Sequence, residues 1–282
     1  MRATRAEIVA HIASSIEALY PKPERQRIAR QVAAALSGEQ ESRYIIDPNE
    51  IIEIDIEQAT KDLASGRPLQ YVIGKVEFCG EEFVVREGVL IPRPETEELV
   101  MWARDESRRF ATPRILDLCT GSGCIALSLK KLIPSAEVIA IDLSTEALAI
   151  ARENAEHLNT EVRFIQDDVL NGCKKIEGKE FDIIVSNPPY IPKSERAAMH
   201  INVTEYEPAM ALFVEDDDPL IFYREIARAA KHLLRKEGAL LFEIHELLAE
   251  QTLQMLENEG YKATLRHDFL SKPRMICCHK RE

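Results

Sequence analysis

Ser186-Asn187-Pro188-Pro189-Tyr190 follows directly on an apolar run, Phe181-Asp-Ile-Ile-Val185. A strand that feeds straight into Asn-Pro-Pro-aromatic makes a rigid turn and aims a side-chain amide beyond the sheet edge. Pro188 and Pro189 each lock φ at about −65° and carry no N–H. Pro188 also keeps Asn187 out of the helical region. The Asn187 amide offers one carbonyl acceptor and an NH2 donor pair. It can hold a planar nitrogen nucleophile by accepting that group's N–H protons. Ordinary Pro-Pro loops also follow strands, so the rest of the chain must decide what this turn is for.

A second constellation lies upstream, in Ile115-Leu-Asp117-Leu-Cys119-Thr120-Gly121-Ser122-Gly123-Cys124-Ile-Ala126. The pattern is a strand, a glycine turn and a helix that begins near Gly123. Gly121, Gly123 and Ala126 match the G-x-G-x-x-A fingerprint of nucleotide-binding turns. The next strand ends in Asp142, about twenty residues further on, where an acid can accept hydrogen bonds from both ribose hydroxyls. Asp142 could instead cap a helix. A ribose-containing ligand at this place is NAD or S-adenosylmethionine. Asp117 at the mouth of the turn would repel a pyrophosphate resting on the helix N-terminus. It suits a cofactor that carries an amino group and a sulfonium. The third strand runs into Gln166-Asp167-Asp168-Val169. An acid here, Asp168, can accept from an adenine amino group while Val169 packs on the ring, although one of the two acids could simply be solvated. The combined pattern favours S-adenosylmethionine.

These groups need a sheet to hold them. From Arg114 onward, candidate strands alternate with helical patterns: Arg114–Leu118, Glu137–Asp142, Glu161–Gln166, Phe181–Ser186 and Ala239–Ile244. Helices between the first five strands imply a parallel, doubly wound sheet. Two further strands, Tyr261–His267 and Arg274–His279, have no helix between them and should form an antiparallel hairpin at one end. The expected fold is therefore α/β, with a mostly parallel seven-stranded sheet. Residues 1–70 read as a small helical domain. Thr4 and Glu7 have capping-box spacing, and Ile8, Ile12, Ile16 and Leu19 share one helical face. A second helix runs to about Leu36 before Gly38, and a third is expected from Asp47-Pro48 to about Leu63. Residues 71–92 read as a β-hairpin linker, and 93–282 as the catalytic domain, opening with a helix at Pro94 whose first turn is rich in Glu.

The composition of this 282-residue chain, 45% hydrophobic and 30% charged, is that of a globular protein. Its formal net charge of −12 disfavours tight binding to nucleic acid. Cys79, Cys119, Cys124, Cys173, Cys277 and Cys278 form no C-x-x-C pair and have no spaced histidine pair beside them, so no metal site is expected. Scattered cysteines and the lack of a signal peptide or membrane-length apolar run suggest a cytoplasmic location.

The segments Asp117–Leu127, Asp142–Leu148 and Asn187–Tyr190 together resemble a class I S-adenosylmethionine-dependent methyltransferase of the kind that methylates planar nitrogens. Arg67-Pro-Leu-Gln70-Tyr71, Glu77-Phe78, Ile91-Pro92-Arg93-Pro94-Glu95-Thr96-Glu97, Glu207-Pro208 and Leu241-Phe-Glu243-Ile244 narrow the resemblance. They are similar to the release-factor glutamine methyltransferase (HemK/PrmC-type) family. The resemblance implies transfer of a methyl group to the glutamine side-chain nitrogen in the Gly-Gly-Gln motif of peptide-chain release factors. By position, it implies that Asp117, Cys119, Thr120, Gly121, Ser122, Gly123 and Asp142 hold the cofactor, with Asp168 and Val169 at the adenine. Asn187, Pro188, Pro189 and Tyr190 would hold the glutamine, with Asn187 also beside the cofactor. The Asn187 and Pro188 carbonyls would accept from the amide, and Tyr190 would stack on it. The helical domain would recognise the substrate. Three departures stand out. Cys119 replaces a glycine, so the first turn is expected to stay right-handed. Val214–Leu220 and His245–Leu248 replace glycine-bearing loops. The alternatives are an adenine or cytosine N-methyltransferase using the same Asn-Pro-Pro-Tyr, and a noncatalytic binding module.

Overall fold

The computed structural model describes residues 1–281. They form two compact units: residues 1–75 with 200–206, and residues 76–199 with the chain from 207 onward.

In the first unit β1 (Arg2–Thr4) leads into α1 (Arg5–Ser15), and Thr4 and Glu7 form a reciprocal capping box. α2 (Lys22–Ser37) ends on Gly38 at φ 71°, a left-handed cap that glycine adopts at no steric cost. α3 (Arg43–Ile46), β2 (Ile51–Glu53), α4 (Glu57–Ala64) and α5 (Leu69–Ile73) follow. The third helix expected from Asp47 is thus largely absent. Ile51–Glu53 instead pairs antiparallel with Arg2–Thr4. In Ile51-Ile-Glu-Ile-Asp-Ile56, Ile54 and Ile56 are buried while Ile51 is exposed, a period of two that suits a strand. Arg5 is completely buried and binds Glu39 through Nε and Nη2 and Glu50 through Nη1. It ties α1 to the chain on either side of α3. Residues 200–206 include α9 (Ile201–Thr204) and join this unit, with His200 stacked on Tyr20.

The second unit opens with β3 (Lys75–Phe78) and β4 (Glu81–Val84), which pair with each other. Then come α6 (Pro94–Ser107), β5 (Arg114–Leu118), α7 (Cys124–Leu132), β6 (Glu137–Asp142), α8 (Thr145–His157), β7 (Arg163–Gln166) and β8 (Phe181–Ser186). β9 (Ile191–Pro192) and, after α10 (Ala209–Leu212), β10 (Phe213–Val214) form a short parallel pair. α11 (Ile221–Leu233), β11 (Leu234–Glu243), α12 (Ala249–Asn258), β12 (Tyr261–His267) and β13 (Pro273–Lys280) complete the chain. The seven-stranded sheet has the order β12-β13-β11-β8-β5-β6-β7. Only β13 runs against its neighbours, one place in from the edge, as the missing helix before it predicts. The helix expected between β7 and β8 is replaced by two 3-10 turns, Val169–Asn171 and Lys174–Ile176. Gly172 and Cys173 both take positive φ there, which stops a helix.

Strand alternation sends Leu116, Leu118, Ile184 and Phe242 to a core under α11 and α12, and Ile115, Ile183, Val185 and Leu241 to one under α6 and α7. The register pairs Leu118 with both Ser186 and Ile141, and Asp142 with Gln166. The carboxyl ends of β5, β6, β7 and β8 therefore lie along one edge, and every turn singled out above leaves from it. No helix among the described residues is long and apolar enough to cross a membrane.

Asn154 of α8 is wholly buried and replaces a strand neighbour for β4. Its Oδ1 accepts from Val84 N at 2.7 Å, and its Nδ2 donates to Val84 O at 3.0 Å and to Ser122 O at 2.9 Å. One side chain thus fixes the hairpin to the glycine turn. Asn154→Ala leaves these backbone groups unpaired and is expected to cost about 2–3 kcal/mol. Urea unfolding checks this, and an unchanged midpoint would contradict it.

Candidate active site

A cavity of about 310 Å³ opens at the carboxyl edge of the sheet. Cys119, Gly121, Asp142, Asp168, Val169 and Asn187 line it, together with Pro189. A pocket of this size, mostly apolar with a few converging polar groups, suits a small organic ligand.

The glycine turn forms one wall. Gly121, at φ 55°, donates its N–H to Asp142 Oδ2 at 2.8 Å. Ser144 N donates to Asp142 Oδ1 at 2.9 Å. A carboxylate has about four acceptor sites, so capacity remains beyond these backbone donors for a further hydroxyl donor. Burial raises the Asp142 pKa, and the bonds from Ser144, Gly121 and Leu143 oppose that rise. Asp142 does not cap α8; the Ser144 side chain does, accepting from Ala147 N. Gly123 begins α7 at φ 82°, and a Cβ there would lie 3.1 Å from Ala151 Cβ, so glycine permits α7 and α8 to approach.

Two expectations about this turn need correction. Cys119 takes φ 61°, so the first turn is left-handed even though it lacks glycine. That conformation costs a non-glycine residue about 1–3 kcal/mol, and it persists because the side chain packs against the buried core. Asp117 is not at the mouth of the turn. It is completely buried beneath it and does not line the cavity. Its Oδ2 accepts from Thr120 Oγ1 at 2.5 Å and Ala126 N at 3.2 Å, while Oδ1 has no partner among the described residues. Burial pushes its pKa up to about 7. What disfavours a pyrophosphate is instead the Asp142 carboxylate, which lines the cavity and already engages Gly121 N. Thr120 and Ser122 are likewise buried and brace the turn.

Asp167 and Asp168 both reach the cavity, but each carboxylate has backbone partners. Asp168 caps the first 3-10 turn through Leu170 N at 2.9 Å and accepts from Asn171 Nδ2 at 2.7 Å. Asp167 accepts from Asp168 N and Lys175 N. Val169 is buried beside them.

The Asn187–Tyr190 turn also reaches the cavity, and of it Asn187 and Pro189 line the cavity. Asn187 Nδ2 donates over 3.4 Å to Thr96 Oγ1, which turns the side-chain carbonyl away from α6. Thr96 donates in turn to Glu243 Oε2 at 2.6 Å, and Tyr190 OH donates to Glu243 Oε1 at 3.0 Å. Tyr190 itself does not line the cavity. Its ring stands edge-on to His245, with centroids 6.0 Å apart. Glu243 is buried at the end of β11, and its pKa is raised by burial against the bonds from Thr96 and Tyr190. Sequence reasoning quoted Glu243 and Thr96 without assigning them a role. An acid that ends a buried apolar strand at the ligand edge was the available signal. Glu207 is also buried and accepts from Ile91 N at 3.0 Å and Arg93 Nη2 at 2.5 Å, fixing the segment that brings Pro208, Met210 and Phe213 to the cavity.

The buried Asp117 generates a pH prediction. Its folded pKa of about 7 exceeds its unfolded value of 3.8, so the folded state binds more protons between those values. Stability falls as pH rises from about 4 to about 7, by up to ~1.4 kcal/mol per unit, and then levels off. Asp117→Asn removes this dependence. Relative to wild type, the variant gains stability between pH 5 and pH 8 in urea titrations; parallel profiles would refute the burial argument.

Residues 101–205 match the family model described as "Methyltransferase small domain". The chain is 40% identical over 278 residues to a release factor glutamine methyltransferase of Bacteroides thetaiotaomicron, an alignment covering 97% of this chain and 99% of that protein. It is 46% identical over 218 residues to the enzyme so named in Flavobacterium psychrophilum, covering 76% of each. Among solved structures, a methyltransferase from Pyrococcus furiosus superposes with a TM-score of 0.51 at 18% identity, over 79% of this chain and 98% of that one, and shares the fold. Near end-to-end identity of this order, on a seven-stranded sheet that carries the glycine turn and Asn-Pro-Pro-Tyr at one edge, places the chain in the release factor glutamine methyltransferase family.

Proposed function

We propose that this protein methylates the side-chain amide nitrogen of the glutamine in the Gly-Gly-Gln motif of peptide-chain release factors, with S-adenosylmethionine as donor. The observation that carries this reading is the placement of Asn187 in the same cavity as Asp142, its amide held by Thr96 and its backbone confined by Pro188. The remaining acceptor capacity of Asp142 suits the ribose hydroxyls, and Val169 and Leu143 suit the faces of an adenine. The unpartnered Asp117 Oδ1 lies under the turn that would carry the amino-acid end. When bound, S-adenosylmethionine supplies an electrophilic methyl group on a sulfonium.

The residues of this chain do the rest. An amide nitrogen is a poor nucleophile because its lone pair is delocalised, so it must be held close, aligned and dry. The Asn187 side-chain carbonyl and the Pro188 backbone carbonyl accept from the substrate NH2 and favour positive charge developing on nitrogen. Pro189 closes the wall, and Glu243 holds the apparatus through Thr96 and Tyr190. Tyr190 thus acts as a positioning residue. The net charge of −12 agrees with a protein substrate better than with a nucleic acid.

Asn187→Ala is expected to lower kcat about 100-fold or more while leaving the affinity for S-adenosylmethionine nearly intact, since one preorganised contact is lost. Asn187→Asp should keep cofactor binding with low activity. Glu243→Gln should lower kcat less than Asn187→Ala, because it acts through Thr96. Single-turnover methylation of a release factor, read by mass spectrometry at the Gly-Gly-Gln peptide, checks all three. Near-wild-type rates in the Asn187 variants would reduce this turn to a structural element.

The helical unit is proposed as the substrate-recognition domain. Ile45 and Ile46 are adjacent and 65% and 71% exposed, the two most exposed isoleucines among the described residues. Ile45→Asp with Ile46→Asp is expected to raise KM for intact release factor about tenfold, a loss of roughly 1.4 kcal/mol in binding. The rate on a short Gly-Gly-Gln peptide should not change. An unaltered KM for the intact factor would count against the assignment.

A further inference from the structure

At the opposite edge of the sheet from the cavity, three chemically different side chains converge. Cys277 and His279 lie two residues apart on β13, so strand geometry places them on one face. Glu106 reaches them from the last turn of α6. One ligand atom from each, thiol, imidazole and carboxylate, lies within 4.8 Å of the others. Cys277 Sγ is 3.7 Å from His279 Nε2, and His279 Nε2 is 3.8 Å from Glu106 Oε2. Tetrahedral zinc with ordinary bond lengths sets an S···N edge of about 3.6 Å and an N···O edge of about 3.4 Å. The observed separations exceed these by a few tenths of an ångström.

The surroundings orient these atoms as a metal site requires. His279 Nδ1 lies 3.2 Å from Gly238 O. A carbonyl can only accept, so Nδ1 carries the proton and the Nε2 lone pair points towards Cys277 and Glu106. A ligating histidine is held in the same way, with its other nitrogen donating to a carbonyl or carboxylate. Glu106 is steadied at both oxygens, by Arg109 Nη2 at 2.6 Å on Oε2 and Trp102 Nε1 at 3.3 Å on Oε1. Arg109 leaves a lone pair free on Oε2. Cys277 is buried and His279 partly exposed, so an ion has both a fixed thiol and an entry path. Arg109 and Arg266 are the nearby cations acting on the thiol; Arg266 stacks on the Trp102 ring at 3.8 Å. Their charge disfavours a cation alone but offsets the two anionic ligands of a filled site.

We propose that Glu106, Cys277 and His279 form a binding site for a thiophilic divalent cation, with zinc as the ion that fits this donor set. On binding, the Cys277 S–H bond breaks, its proton leaves to solvent, and the sulfur lone pair forms the S–metal bond. The His279 Nε2 and Glu106 Oε2 lone pairs complete three protein ligands, and a water takes the fourth position. The ion joins the end of α6 to β13. Because α6 carries Thr96 at its other end, the site clamps the helix that orients Asn187 without belonging to the methyl-transfer cavity.

Metal-free full-length protein titrated with cobalt(II) is expected to develop a thiolate-to-cobalt charge-transfer band that saturates at one ion per chain. Zinc should abolish the band and raise the melting temperature. His279→Ala, on a partly exposed residue, and Cys277→Ser should each weaken zinc binding by at least about 100-fold, more than loss of an outer partner costs. Cys79→Ser should bind as wild type. Absence of a saturable charge-transfer band in the wild type would overturn the proposal. So would equal zinc affinity in wild type and His279→Ala, which does not depend on how Cys277→Ser folds.

Discussion

A buried carboxylate must be met by donors or it destabilises the fold, and this constraint shapes both edges of the sheet. Asp117 and Asp142 end adjacent strands and bind the turn between them, through Thr120, Ala126 and Gly121. Glu243 ends β11 and binds Thr96 and Tyr190. Glu207 binds Ile91 and Arg93. At the amino edge, Asp182 accepts from Arg114 N and Arg235. Apart from Asp117 Oδ1, the acids at the cavity edge meet their donors on the segments they order. The loops that carry the chemistry are therefore held by strand ends and not by their own packing.

The same arrangement sets the polar character of the cavity at the glycine turn. Of the backbone donors at the glycine turn, Gly121 N serves Asp142, and Ala126 N serves the buried Asp117. What remains free at the glycine turn is acceptor capacity on Asp142, which suits hydroxyl donors. The left-handed Cys119 stores strain at this turn, and its burial against the core opposes relaxation.

Rigidity at Asn187 has two sources of different range. The prolines restrict the backbone locally, whereas the side chain is oriented from α6 and β11, far away in sequence. The acidic loop after β10, a departure from the family pattern, also has a place in this scheme. Asp216 accepts from Ser194 N at 3.0 Å and from Ser194 Oγ at 2.7 Å, Glu215 pairs with Lys193, and Asp218 pairs with Arg224. His245, in the other departing loop, lies 3.1 Å from Glu195. Both loops thus bind the segment that follows Asn-Pro-Pro-Tyr and steady it where glycines would have left it looser.

The sheet was legible from sequence because its strands are short apolar runs bounded by turn residues, and period and spacing are local properties. The same holds for the glycine turn, Asp142 and the Asn-Pro-Pro-Tyr turn, which announce themselves by residue type. The strand at Ile51–Glu53 was misread because a capping signal at Asp47 and a period-two pattern compete over a few residues, and pairing with Arg2–Thr4 decided the outcome. Other facts were not local at all. Whether Asp117 faces a ligand or supports the turn from below depends on α7 covering it. Whether Thr96 and Glu243 matter depends on a contact spanning 147 residues. Cys277 and His279 sit two residues apart on β13, but Glu106 joins them only because α6 packs on that strand, a contact the sequence does not display. Residue type and local spacing already mark the turns that can do chemistry; which buried side chains hold those turns in place emerges only on packing, because burial and long-range hydrogen bonds exist only in the folded chain.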